Sequence, residues 1–490
     1  MTNPAEHFDV LIVGAGISGV GGAYHLTRQC PERSFVVLEN QEGFGGTWRT
    51  HTYPGIRSDS DLYTFGYRFK PWTGPPIATA EEILKYMGEV IEENDLARHI
   101  RYNHAISDAS WSSVRQRWTI RVSRTDTGEE LTFTTSFLWM CQGYYRHERG
   151  YTPGWEGMEE FEGRIVHPQT WPDDLDYAGK QVVVIGSGAT AATLIPAMAD
   201  EAGHITMLQR SPTFFVAREN RDLLADTMRE LDVPEAHVHE IVRAKTLRLQ
   251  EMVSDLSRNE PELVRGALLD AARARLGPEC DVETHFNPRY RPWQQRLALL
   301  PDGDLFDAIR HGKASVVTDT IDRFTDAGIL LGSGEVLEAD IIVTATGFEL
   351  NVLGDIGFTV DGEAVDFHET VTYRGAMFTG VPNLLWVFGY FRASWTLRAD
   401  LLADLVCRLL HHMDDLDATV VVPRLRAEDE GMELRPWVEE SNFNPGYLAR
   451  GMDLMPRQGD RQPWLHTQDY WRDRDDLPAA DLDDGALVYS

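Results

Sequence analysis

Phe8-Asp9-Val10-Leu11-Ile12-Val13 runs straight into Gly14-Ala15-Gly16-Ile17-Ser18-Gly19, and the reading of this junction decides the fold. The first half is continuous, β-branched and bounded by glycine, as befits a strand buried on both faces. A helix is expected next, over about Ser18 to Gln29, and then a second strand, Ser34 to Leu38, ending in Glu39. In such a unit the first glycine makes the turn and the second lets the backbone approach a pyrophosphate. The third lets helix pack on strand, and the helix N-terminus faces the anion. Glu39 lies 25 residues beyond Gly14, where a carboxylate accepts from ribose hydroxyls. A lone G-x-G-x-x-G is weak evidence, since glycine turns also serve packing alone. Here strand, helix and terminal acid agree.

The same pattern returns about 170 residues later. Gln181 to Ile185 leads into Gly186-Ser187-Gly188-Ala189-Thr190-Ala191, the variant with alanine third, and His204 to Leu208 is the following strand. Gly186, Gly188 and Thr190 are the expected coenzyme contacts of this turn. The strand ends in Gln209-Arg210-Ser211 rather than an acid. Arginine there can clamp a 2′-phosphate and Ser211 can add a donor, which favours NADP over NAD. Two dinucleotide sites mark a flavoprotein, carrying FAD, that also binds a nicotinamide. Gly45-Gly46-Thr47-Trp48 follows the first unit. It reads either as a plain loop turn or as the glycine pair that approaches a flavin, with Trp48 packed near the ring. Asp340 to Phe348, which contains Thr346 and Gly347, is by periodicity only a buried strand and a turn.

The fold expected is therefore α/β, with two Rossmann-like dinucleotide-binding domains, the NADP domain inserted in the FAD domain. Residues 1–148 would form the first part of the FAD domain and 149–216 with 285–335 the NADP domain. A helical insertion is expected over 217–284, and 336–490 would return to the FAD domain and end in a tail. Within this frame Glu81 to Asn94 has helical period. Trp111 to Val122 and Glu130 to Phe137 look like antiparallel strands joined near Asp126-Thr127-Gly128, and the acidic stretch Asp473 to Asp484 looks like a solvated tail.

The chain has 490 residues, enough for two or three domains with their own cores. A net charge of −31 argues against nucleic acid and anionic membrane as partners, since both need a basic face; its plain reading is solubility. Cys30, Cys141, Cys280 and Cys407 are far apart with no C-x-x-C pair, which speaks against a thioredoxin-type motif, a zinc ribbon or a disulfide framework. No apolar run approaches the ~18 residues of a membrane helix. The first strand begins so near Met1 that no leader is expected, and a reducing cytoplasm is the expected compartment. His411-His412 reads as helix surface, and no metal-ligand spacing supports a metal site.

Between the two glycine turns lies Phe161-Glu-Gly163-Arg-Ile-Val-His167-Pro-Gln-Thr-Trp171-Pro172. The pattern F-x-G-x-x-x-H-x-x-x-W-P resembles the fingerprint of type I Baeyer–Villiger monooxygenases. With the other motifs the resemblance covers about Asp9 to Leu410, and the shorter bacterial branch that includes thioamide-activating enzymes is the nearest look-alike. It implies FAD, NADPH and O2, and insertion of one oxygen atom next to a ketone carbonyl. Tyr53-Pro54-Gly55-Ile56-Arg57-Ser58-Asp59 matches the family's Y-P-G-x-R-x-D segment. Its aspartate, here Asp59, orients an active-site arginine, a role carried to Arg296. The family's preceding lysine is replaced by Gln295, which softens the expected NADPH preference. The resemblance places His167 and Trp171 in a linker between the domains, and Asp340 to Phe348 where the chain re-enters the flavin domain, with Thr346 and Gly347 among the cofactor contacts. The mobile tryptophan loop of larger members has only Trp464 as a candidate counterpart. A sulfide- or amine-oxygenating flavin monooxygenase and a non-enzymatic FAD/NADPH redox sensor stay open as alternatives. So do the particular ketone or sulfide and the oligomeric state.

Overall fold

The computed structural model describes residues 5–490. The strand Glu6–Val13 lies between Phe35–Leu38 and Glu130–Met140, parallel to both, with the helix Ile17–Gln29 as the crossover. Its alternate residues enter two different cores: Val10 and Ile12 face one, Leu11 and Val13 the other. Burial on both faces is why the strand is apolar without a break. Each such aliphatic side chain contributes about 1.5–3 kcal/mol when fully buried.

The second unit is a five-stranded, all-parallel sheet. Its order is Ala314–Thr318, His204–Gln209, Gln181–Ile185, Ile341–Thr344 and Arg164–Val166. Two buried faces recur: Val182 and Val184 point to one core, Val183 and Ile185 to the other. Ile341–Thr344 pairs here, so the return to the first unit comes after Thr344 and not at 336. The expected boundary left outside the second unit a strand that its sheet needs between Gln181–Ile185 and Arg164–Val166. The insertion is helical, as Leu223–Glu230, Glu235–Asn259, Pro261–Leu276 and Val282–Phe286. Pro234 caps the second of these helices and Pro261 opens the third, positions where a missing N–H costs nothing.

Three further readings change. The strand expected over Trp111 to Val122 is two strands, His104–Ser112 and Arg117–Arg124, joined by a turn in which Val114 is 95% exposed. Trp111 and Trp118 are paired across this hairpin and both buried. Seven residues apart on one strand they would face opposite sides, so the turn is what brings both into one core. The acidic C-terminal stretch is not a solvated tail: Asp473, on the helix Tyr470–Asp476, is buried. It accepts from Tyr390 Oη at 2.8 Å and pairs with Arg398, and the strand Leu487–Tyr489 pairs with Val421–Pro423. Trp464 is fully buried, its indole N–H donating to Asp429 Oδ2 at 2.7 Å, so it is fixed core rather than part of a mobile loop. The helix foreseen over Glu81 to Asn94 forms as Ala80–Glu93, opened by a reciprocal cap between Thr79 and Glu82.

Candidate active site

The first glycine turn is packed as tightly as its sequence suggests. A side chain at Gly19 would strike the carbonyl oxygen of Gly14, so helix and turn can meet only with glycine there. Glu39, at the end of its strand, is 4% exposed. Its Oε2 accepts from Ala15 N at 2.7 Å and its Oε1 from Gln41 N at 3.0 Å. Burial raises the pKa of this carboxyl, and the backbone N–H groups work against that rise. The Gly45-Gly46 turn lies against the first one, with Gly45 N donating to Ala15 O at 3.0 Å. From here a cavity of about 550 Å³ runs past Gly14, Gly16, Glu39, Gly46, Thr47 and Trp48 to Asp59 and Thr190. Backbone lines one end together with a ribose-competent carboxylate, and aromatic side chains, among them Trp48, Tyr53, Tyr144, Tyr145 and Trp395, line much of the rest. That set of donors and shapes fits a dinucleotide with a flat ring system. Thr47 shares a hydrogen bond of 2.7 Å with Tyr145, and Trp48 stands edge-on to Phe65.

Thr346 and Gly347 lie where the chain crosses between the units. Thr346 Oγ1 donates to Tyr151 O at 2.6 Å and Gly347 O accepts from Tyr151 N at 3.0 Å, so both pin the chain crossing between the units. Gly347 also lines a narrow crevice with Thr190 and His167 beside the main cavity.

In the second unit Gly186 has φ +124°, and a side chain there would strike Ala345 O. Gly188 is the reverse case: nothing of the protein lies within 4 Å of where its Cβ would be. Open space before the N-terminus of Ala189–Met198 is what a ligand's phosphates need. Arg210 and Ser211 are exposed just past the strand His204–Gln209, whereas Gln209 is tied inward, its Nε2 donating to His285 O at 2.7 Å. Gln295 Nε2 lies 3.5 Å from Asn444 Oδ1.

Asp59 and Arg296 come together from 237 residues apart. Arg296 Nε is 2.6 Å from Asp59 Oδ2, and Nη2 donates to Asp59 Oδ1 at 2.9 Å and to Ser60 Oγ at 2.8 Å. Nη1 donates to Phe391 O at 2.8 Å. These contacts leave one Nη1–H without a protein acceptor, and 30% of the side-chain surface stays accessible. Burial disfavours the cation, but Asp59 and the nearby Tyr144 and Tyr447 outweigh it, so its pKa lies above the ordinary value. The same burial pushes Tyr144 up to about 12. Tyr144 stacks on Trp395 at 5.2 Å, and the Trp395 indole donates to Ser18 Oγ at 2.8 Å. These aromatics escaped the sequence reading. The Gln142-Gly143-Tyr144-Tyr145 run directly after a buried strand was the only local signal.

His167 lies between two strands of the second sheet, Arg164–Val166 and Gln181–Ile185, and so within the second unit rather than in a linker between the two; its Nδ1 accepts from Gln169 N at 3.1 Å, and burial lowers its pKa. Trp171 packs against the core of the second unit. Cys30 and Cys407, remote in sequence, are both buried, and neither lines the cavity. His411 Nε2 lies 3.6 Å from Cys30 Sγ, and His412 pairs with Asp483 at 2.9 Å. No helix among the described residues is long and apolar enough to cross a membrane.

Comparison with known proteins agrees with this geometry. Residues 12–75, around the first glycine turn, match the NAD(P)-binding Rossmann-like domain family. The chain is 47% identical over 487 residues to the FAD-containing monooxygenase EthA of Mycobacterium tuberculosis, covering 99% of this chain and 98% of that one. It is 43% identical over 486 residues to the probable FAD-binding monooxygenase AlmA of Acinetobacter baylyi, covering 99% and 96%. Among solved structures, oxidized steroid monooxygenase bound to NADP shares the fold over 99% of both chains, with TM-score 0.77 and 23% identity. Fold, motifs and relatives agree, and the chain belongs to the FAD-containing monooxygenases.

Proposed function

We propose that this monooxygenase inserts one oxygen atom of O2 beside a ketone carbonyl, giving an ester or lactone, and that it also oxidises sulfides. FAD at the first glycine turn and NADPH at the second would supply reducing power and activation of O2. The names of the relatives, and of a structural neighbour bound to NADP, support this pair of coenzymes. The observation that carries the reading is the Arg296–Asp59 pair, with one guanidinium N–H left free of protein acceptors. Arginine keeps its proton, so Arg296 favours an anionic oxygen beside it and the charge that builds when oxygen adds to a carbonyl. Asp59 grips the Nε–Nη2 edge of the guanidinium and fixes its direction. Ser60 and the Phe391 carbonyl hold two further N–H groups, so little reorganisation accompanies the reaction. The stacked rings of Tyr144 and Trp395 line this end of the cavity with apolar surface, which would disfavour water there.

The test is a screen of cyclic and linear ketones and aryl sulfides with NADPH, followed by mass spectrometry for one added oxygen. Ester or lactone products are expected. Sulfoxides without any ester would favour a sulfide-oxygenating enzyme instead, and NADPH binding with no oxygenated product would favour a redox sensor.

A further inference from the structure

Cys30, Glu32 and His411 meet at the end of the helix Ile17–Gln29 that lies opposite the cavity. Cys30 closes that helix and is 1% exposed, and its Sγ lies 3.6 Å from His411 Nε2. Arg33 N donates to Cys30 O at 3.1 Å, and this turn brings the Glu32 carboxylate back to the other two. One ligand-capable atom from each of the three lies within 4.8 Å of both others. Cys30 and His411 are 381 residues apart, so no spacing along the chain betrays the set.

The donors are not committed elsewhere. Among the described residues Glu32 forms no ion pair, and His411 has no side-chain partner besides Cys30. The next residue, His412, is instead held by Asp483 at 2.9 Å, and the nearby cation Arg33 is drawn aside by Asp414 at 2.5 Å. An exposed carboxylate alone would mean little; the buried thiol facing an imidazole defines the spot. Thiolate, imidazole and carboxylate together are a donor set that suits zinc, whereas magnesium and calcium take oxygen ligands. With bonds of about 2.3 Å to sulfur and about 2.0–2.1 Å to nitrogen, two such donors around a tetrahedral zinc stand roughly 3.5 Å apart. Cys30 and His411 already have that separation, and the exposed Glu32 side chain can close its gap by rotation.

We propose that Cys30, Glu32 and His411 form a zinc site, with water as fourth ligand, that fastens the helix Ile17–Gln29 to the helix Trp395–Asp415. On binding, Cys30 releases its proton to solvent and coordinates as thiolate. Both helices begin at the cavity: Ile17, Ser18 and Trp395 line it, and Trp395 donates to Ser18 there. Side chains link them farther along, with His25 Nε2 3.3 Å from Asp400 and Gln29 Nε2 donating to Asp404 at 2.9 Å. The ion would join their far ends, about 20 Å from the glycine turn at a rise of about 1.5 Å per residue. At that distance it acts on the stability of the pair and takes no part in the oxygenation.

The test adds zinc to the FAD-loaded enzyme after treatment with a chelator, then dialyses away the excess. One zinc per chain should remain, and the thermal midpoint should rise. X-ray absorption at the zinc edge should show one sulfur at about 2.3 Å, with nitrogen and oxygen at about 2.0–2.2 Å. His411→Ala places a good helix former at an exposed helical position, and the flavin spectrum checks that the variant is folded. It should weaken zinc binding by more than ~100-fold, beyond the cost of losing an outer partner, and abolish the rise in thermal midpoint. Glu32→Gln should weaken binding less, and His412→Ala should leave it unchanged. A wild-type enzyme that loses its zinc on dialysis would overturn the proposal. A zinc shell without sulfur, or binding untouched by His411→Ala, would do so too, by marking an adventitious ion held elsewhere.

Discussion

Arg296 Nε lies 2.6 Å from Asp59, both terminal nitrogens donate to groups of the protein, and one Nη1–H is left without a protein acceptor. If that N–H holds the developing oxyanion, Arg296→Ala should lower product formation by about 10²–10³-fold, as for loss of one preorganised donor. Reduction of the flavin by NADPH should persist. Asp59→Ala should act in the same direction but more weakly, since it only orients the arginine. Stopped-flow bleaching of the flavin followed by product analysis separates the steps. Ester formation by Arg296→Ala at the wild-type rate would make the arginine a bystander. The pairing of Asp59 with Arg296 was legible because both lie in short motifs that resemble those of a known family. Phe391 O and the tyrosines 144 and 447 were not. They belong to segments about 95 to 152 residues from Arg296 in sequence, and no local pattern links them to it.

The two glycine-turn units are the same element built twice, and they differ where the second strand ends. In the first, Glu39 is buried and held by the Ala15 and Gln41 N–H groups; in the second, Arg210 and Ser211 stand exposed past an inward-tied Gln209. A buried acid suits ribose hydroxyls and a free arginine suits a phosphate. Arg210→Ala should therefore cut the NADPH-over-NADH preference by roughly 10- to 150-fold. Steady-state kinetics with both coenzymes measures it, and equal losses with each would assign Arg210 a structural role. With Gln295 where the family has lysine, the wild-type preference should fall toward the lower end. Both units were readable because their strands are buried on two faces and their turns have steric demands only glycine meets. The hairpin at 113–116 was not, because alternation along a strand is blind to a turn that returns Trp118 to the side of Trp111. The strand Ile341–Thr344 was found as a strand but assigned to the wrong sheet, since four apolar residues carry no label of their partner.

Across the whole molecule, several histidines are buried as neutral rings, and that makes stability depend on pH. Burial lowers His51 to about 4, His239 to about 4 and His466 well below its ordinary value. His51 lies on the cavity, and His239 Nδ1 accepts from Trp72 N at 3.0 Å, tying the helical insertion to the first unit. His466 stacks on Trp437 at 3.9 Å beside the C-terminal segment, which, unlike a solvated tail, is part of the core. In the unfolded chain these rings titrate near 6.5. The unfolded state therefore binds more protons than the folded one between about 6.5 and 4, and stability falls as pH drops through that window. A ring shifted from 6.5 to about 4 contributes about 3 kcal/mol at most over the full window. The net charge of −31 works the other way, because protonating surface carboxylates relieves self-repulsion. Those carboxylates titrate mainly near 4, so the histidine effect is seen most cleanly between pH 7 and 5.5. The thermal midpoint should decline over that interval, and His239→Gln, whose amide can still accept from Trp72 N, should decline less steeply. A midpoint that stays flat or rises from pH 7 to 5.5 would mean that relief of charge repulsion outweighs the buried histidines.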